Sequence, residues 1–270
     1  MEKEKRLVEV TVQEGIATVL LNDPEKRNAL SMPMAETLTA ALRQVWQDSR
    51  VRVIILRGAG EVFCAGGDVT SMKQRADAYR EGCEPESDTR LNMWKLNEVV
   101  LTLREIPKPV IAWIEGAAAG GGMSLALACD FSLAAENAKM VFAFSGIALA
   151  PDMGASVMAP VRIGFPRAAD LFMTGRRFTG REAAQWGLIT SAWSSEKLAE
   201  EVSMLAHRLA YGPTLAYAEI KRSLNRTLFA GLHDGMAEEV EGAARLTRTA
   251  DHAEAVEAFL EKRRPAFTGR

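Results

Sequence analysis

Two glycine-rich segments are the parts of the sequence best suited to holding negative charge. The first is Phe63-Cys64-Ala65-Gly66-Gly67-Asp68, and the second is Gly116-Ala117-Ala118-Ala119-Gly120-Gly121-Gly122. Each follows an apolar run typical of a buried strand, and the second leads into an apolar helix. Consecutive glycines at such junctions let the backbone approach a ligand and leave N–H groups free. One N–H from each segment, directed at the same point, would form an oxyanion hole.

Other uses of these glycines stay open. They can serve only tight turns and close packing of a helix on a sheet. A dinucleotide site is disfavoured, because residues 116–122 lack the G-x-G-x-x-G spacing and no acidic residue follows at the expected distance. The sequence also contains no G-x-x-x-x-G-K-[ST], H-E-x-x-H or G-x-S-x-G motif. A phosphate loop, a zinc protease and a serine hydrolase are therefore disfavoured.

The histidines and cysteines do not indicate a metal or nucleophilic site. His207, His233 and His252 fall in polar C-terminal helices, where we expect them at the surface. The three cysteines are odd in number and have no C-x-x-C spacing, which argues against a disulfide framework and against zinc. We expect Cys64 and Cys129 to pack as small apolar residues, and we expect no metal.

The composition is that of an ordinary globular protein. The 270 residues are 48% hydrophobic and 25% charged, with a net charge of -2. This balance gives no electrostatic reason to bind nucleic acid or an anionic membrane. No apolar run reaches the length of a membrane span, and the charged N-terminal run does not resemble a signal peptide. We expect a cytoplasmic protein.

The elements that would position the glycines follow a strand–helix alternation. We predict a hairpin of strands at 8–12 and 16–21, further strands at 51–56, 110–114 and 131–135, and helices at 31–46 and 90–104, with Ser31 as N-cap. Residues 77–89 are polar and are predicted to be irregular. From Gly164 onward the pattern is mostly helical, with helices at 166–173, 180–185, 195–211, 213–226, 231–249 and 252–262. We therefore expect an α/β core over 1–195 and a C-terminal helical region over 196–270.

Several segments in register carry a resemblance to a known family. They are the two glycine segments, Glu25–Leu30, Leu149–Gly154, Thr174–Phe178, Glu182-Ala183, Trp186–Leu188 and Phe259–Arg263. Together they resemble the enoyl-CoA hydratase/isomerase (crotonase) superfamily over almost the whole chain. The resemblance implies a spiral of ββα units, a C-terminal trimerisation region, and homotrimers or dimers of trimers. It also implies an acyl-CoA thioester as substrate, with coenzyme A part of that substrate and no other cofactor.

The resemblance also implies roles for individual residues. The amides of Gly67 and Gly121 would hold the oxygen of an enolate formed at the thioester carbonyl, whose negative charge fixed dipoles stabilise more than the neutral carbonyl. Residues implied to bind the CoA ester are Arg27, Ala29, Ala65, Gly66, Asp68, Ser124, Phe144 and Lys262. For Arg27 and Lys262, a solvated surface charge is the alternative. Asp68 fits a helix cap or loop brace better than a catalyst, and the acyl pocket is expected around 69–95 and 142–147.

Two departures from the family pattern bear on the reaction. Hydratases of this family activate water with two glutamates, and this sequence has Ser124 and Phe144 at those positions. Neither side chain can act as a carboxylate base. Ser124 would instead hold a water molecule or pack against the acyl group. The two-glutamate mechanism is therefore absent.

One carboxylate remains near the expected site. Asp152 matches the single base of some isomerase branches, and the second glycine segment resembles the phenylacetate-pathway isomerase branch. A carboxyl in an apolar pocket has a raised pKa, which would help it return a proton. We therefore expect an isomerase that moves a double bond or opens a ring epoxide. Alternatives are a hydratase or another reaction of the family, a catalytically silent acyl-CoA-binding protein, and, for Asp152 alone, a helix cap.

Overall fold

The computed structural model describes residues 6–86 and 88–270. Its strands are β1 (Val8–Gln13), β2 (Ile16–Leu21), β3 (Val53–Gly58), β4 (Val110–Ile114), β5 (Ala117–Ala119), β6 (Phe131–Ala135), β7 (Lys139–Val141), β8 (Phe178–Thr179) and β9 (Ser191–Trp193). Its helices are α1 (Met32–Gln47), α2 (Val69–Arg80), α3 (Thr89–Glu105), α4 (Gly121–Ala128), α5 (Ala155–Thr174), α6 (Gly180–Gln185), α7 (Ser195–Ala210), α8 (Thr214–Leu228), α9 (Leu232–Leu246) and α10 (Ala250–Leu260).

The larger sheet has the order β1-β2-β3-β4-β6-β9. Its β1–β2 pair is antiparallel and the remaining pairs are parallel. The hairpin turn at Glu14-Gly15 has φ of 51° and 79°, the left-handed conformation that matches strand twist. Because β3 and β4 run in the same direction, the two glycine segments that follow them emerge at the same edge of the sheet.

The smaller sheet joins the two glycine segments. Its order is β5-β7-β8, and β5 lies within the second segment. Cys64 of the first segment forms a parallel bridge with Ala118, and the Ala119 amide donates to the Cys64 carbonyl over 3.0 Å. The backbone itself thus brings the segments together.

Most of the predicted core elements are confirmed. The hairpin, β4 and β6 lie where the apolar patterns placed them, and β3 starts two residues later than predicted. Helix α1 begins after Ser31, whose side chain accepts a hydrogen bond from the Met34 amide. The short strands β5, β7 and β8 were not predicted, because two or three residues carry no usable alternation.

The irregular segment predicted at 77–89 is wrong over 77–80, which form the last turn of α2. Ala76 alone among its twelve residues is buried, so the helix has almost no apolar face to give a 3.6-residue period. What starts it is Asp68, whose carboxylate accepts from the Thr70 amide and the Ser71 hydroxyl.

Helix α5 starts eleven residues before the predicted 166. It contains Pro160 and is broken at Gly164, where φ is 74° and ψ is 160°, so that the sequence pattern hides its first half. The C-terminal helices pack back on the core: α9 contacts α3 and α5, and α10 contacts α2. No helix within the described ranges has both the length and the apolar character needed to cross a membrane. The boundary at 195/196 stays a prediction.

Candidate active site

Both glycine segments and Asp152 line one cavity. Its wall includes Gly67, Gly121 and Asp152, together with apolar residues of α3 and of the 149–153 loop. The rest comes mostly from α2, the start of α3 and the end of α9. The cavity therefore brings together the three residues to which the sequence assigns catalytic roles.

Glycine is required where the two segments meet. A methyl group on Cα of Gly66 would lie 2.7 Å from the Ala119 carbonyl oxygen, and one on Gly122 would lie 2.4 Å from the Cys64 carbonyl oxygen. Both distances are shorter than any real side chain tolerates. Close contact between the segments is thus one use of the glycines, as the packing alternative proposed.

The amides of Gly67 and Gly121 are available to a ligand. Gly121 is the first residue of α4, where an N–H has no partner within the helix and carries the positive end of the helix dipole. Across residues 6–86 and 88–270, neither amide donates a hydrogen bond to a protein acceptor. Two free donors on one cavity wall suit an oxygen that gains negative charge.

Asp152 lies in the loop before α5, beside Gly121. A methyl group on Cα of Gly121 would lie 3.8 Å from Oδ1 of Asp152. This Oδ1 is buried and has no hydrogen-bond partner in the described part of the chain. Burial, and to a smaller extent the neighbouring carboxylate of Glu239, raises the pKa of Asp152 to about 8. The raised pKa agrees with the sequence-based expectation.

The helix cap proposed as an alternative for Asp152 is supplied by another residue. Glu239 of α9 is buried, and its two carboxylate oxygens accept from the amides of Gly154 at 2.7 Å and Ser156 at 2.9 Å. These amides belong to the N-cap and to the second residue of α5, and the N-cap, Gly154, has no side chain that could accept a hydrogen bond. Desolvation also raises the pKa of Glu239. Sequence reasoning missed this residue, because a glutamate 87 positions after Asp152 carries no local signal.

Ser124 and Phe144 are both buried and do not line the cavity over the described residues. The Ser124 hydroxyl donates to the main-chain carbonyl of Asp152 over 3.0 Å, so it braces the Asp152 loop. Phe144 packs with Phe142 and Phe172 in an aromatic cluster. Of the predicted acyl-pocket segments, 69–95 contributes to the cavity wall and 142–147 does not.

The predicted CoA-binding loop is assembled around the first glycine segment. The Ala65 amide donates to the Arg27 carbonyl over 3.0 Å, and the Leu30 amide donates to the Gly66 carbonyl over 2.7 Å. Arg27 is exposed, and Ala29 lies between these two contacts. Buried Asn28 fixes the arrangement by donating to the carbonyls of Ala59 and Val62.

Two other residues of the predicted CoA-binding set have clear positions. Asp68 is the N-cap of α2, as expected, and it also lines the cavity. Lys262 is exposed just beyond the end of α10. Its role towards the nucleotide stays a prediction.

The surface position predicted for His252 is wrong. His252 is 1% exposed, and its Nδ1 lies 2.8 Å from the Ile147 carbonyl oxygen, because α10 packs on the turn at 145–147. His233 is exposed, and its ring contacts that of Trp94 in a tilted arrangement, with the ring centroids 5.2 Å apart. Cys64 and Cys129 are buried, as expected, and burial raises the pKa of each thiol to about 12, which makes both poor nucleophiles.

Comparison with known proteins extends these observations to the whole chain. The sequence model of the enoyl-CoA hydratase/isomerase family matches residues 11–270. The chain is 36% identical over 260 residues to the 1,2-epoxyphenylacetyl-CoA isomerase of Escherichia coli, covering 96% of this chain and 97% of that protein. It is 33% identical over 259 residues to the trans-2-decenoyl-[acyl-carrier-protein] isomerase of Streptococcus mutans, again covering 96% and 97%.

The fold is also that of solved members. The structure of an enoyl-CoA hydratase from Mycobacterium avium subsp. paratuberculosis superimposes with a TM-score of 0.87 at 31% identity, covering 97% of this chain and 98% of that one. The predicted α/β spiral is thereby confirmed. With its paired glycine segments on one cavity, the chain belongs to the enoyl-CoA hydratase/isomerase family.

Proposed function

We propose that the protein isomerises an acyl-CoA thioester by moving a proton between two carbons, with Asp152 as the acid–base group. One observation carries the proposal: Oδ1 of Asp152 is buried and has no hydrogen-bond partner among the described residues, and Asp152 lies on the same cavity wall as Gly67 and Gly121. This oxygen has nothing to bind until a substrate enters.

The reaction needs only this one group and the two amides. Ionised Asp152 removes a proton from the carbon next to the thioester carbonyl, and the C–H electrons move to the carbonyl oxygen to give a dienolate. The amides of Gly67 and Gly121 stabilise that oxygen. Asp152 then returns the proton to another carbon of the dienolate, so the double bond has moved and no atom is gained or lost. Coenzyme A is the carrier of the acyl group, and we propose no further cofactor.

The pKa of Asp152 suits both halves of this shuttle. A carboxyl with a pKa near 8 is a stronger base than an ordinary aspartate and is still able to hold the proton it removes. At neutral pH about a tenth of the free enzyme would carry the ionised form. Burial therefore lowers the fraction of Asp152 that is ionised at neutral pH, but it makes the ionised form a stronger base.

The residues around Asp152 favour isomerisation over hydration. Hydration in this family needs a second carboxylate to deliver water, and Ser124 and Phe144 occupy the corresponding positions. The nearby Glu239 is held by two amides and is not part of the described cavity wall. The relatives from E. coli and S. mutans, named as isomerases of an epoxyphenylacetyl-CoA and of a decenoyl carrier-protein ester, point the same way.

We also propose that the protein assembles as a homotrimer or a dimer of trimers. Large apolar side chains are exposed in the C-terminal third, among them Tyr211, Leu215 and Phe259, at 76%, 86% and 58%. Apolar surface of this kind is typical of subunit contacts.

The reaction is tested with 2-enoyl-, 3-enoyl- and ring-1,2-epoxyphenylacetyl-CoA esters in deuterated water. We expect an isomeric product with deuterium at one carbon. Asp152→Asn should lower kcat by at least about a thousandfold and leave the Kd for the ester within a few-fold, because the amide keeps the shape of the carboxyl but cannot accept the proton. Asp170→Asn is the matched control, since Asp170 is on the surface and pairs with Arg176.

Two results would contradict the proposal. Accumulation of 3-hydroxyacyl-CoA would identify a hydratase. Tight binding of the esters without turnover by the unaltered protein would identify a silent acyl-CoA-binding protein.

A further inference from the structure

The cavity contains a cation that no protein group neutralises. Arg75 of α2 lines the cavity, and its Nε is buried without a hydrogen-bond partner in the described part of the chain. Over the same residues, no carboxylate lies within ion-pair distance of its guanidinium, although each of the three other arginines of α2 and α3 has one. Desolvation lowers the pKa of Arg75, and arginine nevertheless stays charged at neutral pH.

The other titratable groups around the cavity do not supply the missing negative charge. The Asp68 carboxylate is occupied by the Thr70 amide and the Ser71 hydroxyl. His252 can offer only positive charge, and burial together with the charge of Arg75 lowers its pKa. Burial and the neighbouring Glu239 raise the pKa of Asp152 to about 8, so Asp152 is mostly protonated at neutral pH and does not offer Arg75 a negative charge.

A second unpartnered polar group lies on the same wall. Thr89, the first residue of α3, is 5% exposed, and its Oγ1 has no hydrogen-bond partner among the described residues. A buried hydroxyl and a buried guanidinium Nε without partners each cost free energy in the empty protein. A ligand that carries negatively charged oxygens would satisfy both groups.

We propose that the acyl pocket accepts acyl-CoA esters whose acyl chain ends in a carboxylate, with Arg75 as the specificity-determining residue and Thr89 as a second donor. The proposal rests on the proposed acyl-CoA function, because the thioester must sit at Gly67 and Gly121 for the acyl chain to reach α2. The terminal carboxylate pairs with the guanidinium, while the reacting carbons lie at Asp152. Arginine binds a carboxylate through two parallel N–H donors, which makes the selection geometric as well as electrostatic.

The test measures binding, so that it does not depend on turnover. Saturated esters that cannot isomerise are compared in pairs of equal length by calorimetry: succinyl- with butyryl-CoA, glutaryl- with pentanoyl-CoA, and adipoyl- with hexanoyl-CoA. We expect at least one dicarboxylic ester to bind tenfold or more tightly than its partner. Arg75→Gln should remove this preference and leave the Kd of the monocarboxylic ester within about threefold, while Arg75→Lys should keep part of it.

Arg80→Gln is the matched control, because Arg80 lies on the same helix, pairs with Glu257 and does not line the cavity. Circular dichroism establishes that each variant is folded. The proposal is overturned if no dicarboxylic ester binds more tightly than its partner, or if Arg75→Gln weakens both members of every pair equally, which would assign Arg75 to the CoA moiety. Failure of isomerisation alone, with the binding preference intact, would contradict only the proposed reaction.

Discussion

At the residue scale, Asp152 costs the folded protein stability. Its pKa is about 8 in the fold and about 3.9 in an unfolded chain. Between these values the unfolded chain releases the proton and the folded protein keeps it, so the unfolded state binds fewer protons. The free energy of unfolding therefore falls as the pH rises from about 4 to about 8, by up to about 1.4 kcal/mol per pH unit.

The fall in the free energy of unfolding with rising pH gives a prediction for Asp152→Asn. The variant has no group to ionise here, so its stability relative to the unaltered protein should improve by a few kcal/mol between pH 5 and pH 8. Urea unfolding of both proteins at the two pH values measures the change. An equal difference at pH 5 and pH 8 would show that Asp152 titrates normally. Activity and stability are thus in direct opposition at this position.

Single residues were predictable only where their role is local. Gly67 and Gly121 were assigned because the short segments around them resemble those of a known family, and Asp68 because a cap is defined by its own neighbours. Ser124 and Glu239 act on the Asp152 loop from elsewhere in the chain, and the sequence carries no mark of those contacts. His252 was misplaced for the same reason: the element that buries it lies a hundred residues earlier.

At the element scale, α9 holds the start of α5 and thereby sets the position of Asp152. Glu239 makes two charged hydrogen bonds to α5, and its negative charge opposes ionisation of Asp152. In the unaltered protein, kcat/KM should rise with pH up to about 8 and then level off, because Asp152 must be ionised to take the first proton.

Replacing Glu239 with glutamine separates these two effects. The variant should unfold about 1–3 kcal/mol more easily, since an amide accepts from only one of the two N–H groups. Without the neighbouring negative charge, the limb of the kcat/KM profile should move to lower pH. Glu238→Gln, exposed on the same helix, is the control. If the variant is less stable but the rise of kcat/KM occurs at the same pH, Glu239 has only a structural role.

The accuracy of the element predictions followed the strength of the apolar patterns. Strands β4 and β6 and helix α1 contain clear patterns of buried apolar residues. The bounds of these three elements were predicted to within a residue or two. Helix α2 has a single buried residue, and α5 contains a proline and a broken turn. The spacing of apolar residues therefore could not predict the full length of either helix.

At the scale of the whole molecule, the exposed apolar residues of the C-terminal third predict an assembly. Leu215 is 86% exposed, an unfavourable position for leucine in a lone subunit. Leu215→Glu should convert a particle of three or six chain masses into smaller species, as measured by light scattering after gel filtration. Val12→Glu, an apolar surface residue of the hairpin, is the control. An unaltered protein that elutes at the mass of a single chain would refute the trimer.

The family could be predicted from the sequence because its motifs occur along the chain in the family's order. The acyl group of the substrate could not be predicted. In the proposed reaction the chemistry depends on backbone amides at fixed glycines, whereas the acyl preference depends on which side chains of α2 and α3 line the cavity. Tertiary packing, which has no local mark in the sequence, determines which side chains these are.

Helix α2 has a consequence for how such a protein diversifies. It contributes Ser71, Met72 and Arg75 to the cavity wall, yet only Ala76 among its residues is buried. Its inward-facing positions can therefore exchange size and polarity while the glycine segments and their sheet keep their shape. Substitutions on this helix can therefore alter the acyl preference at little cost to the stability of the fold.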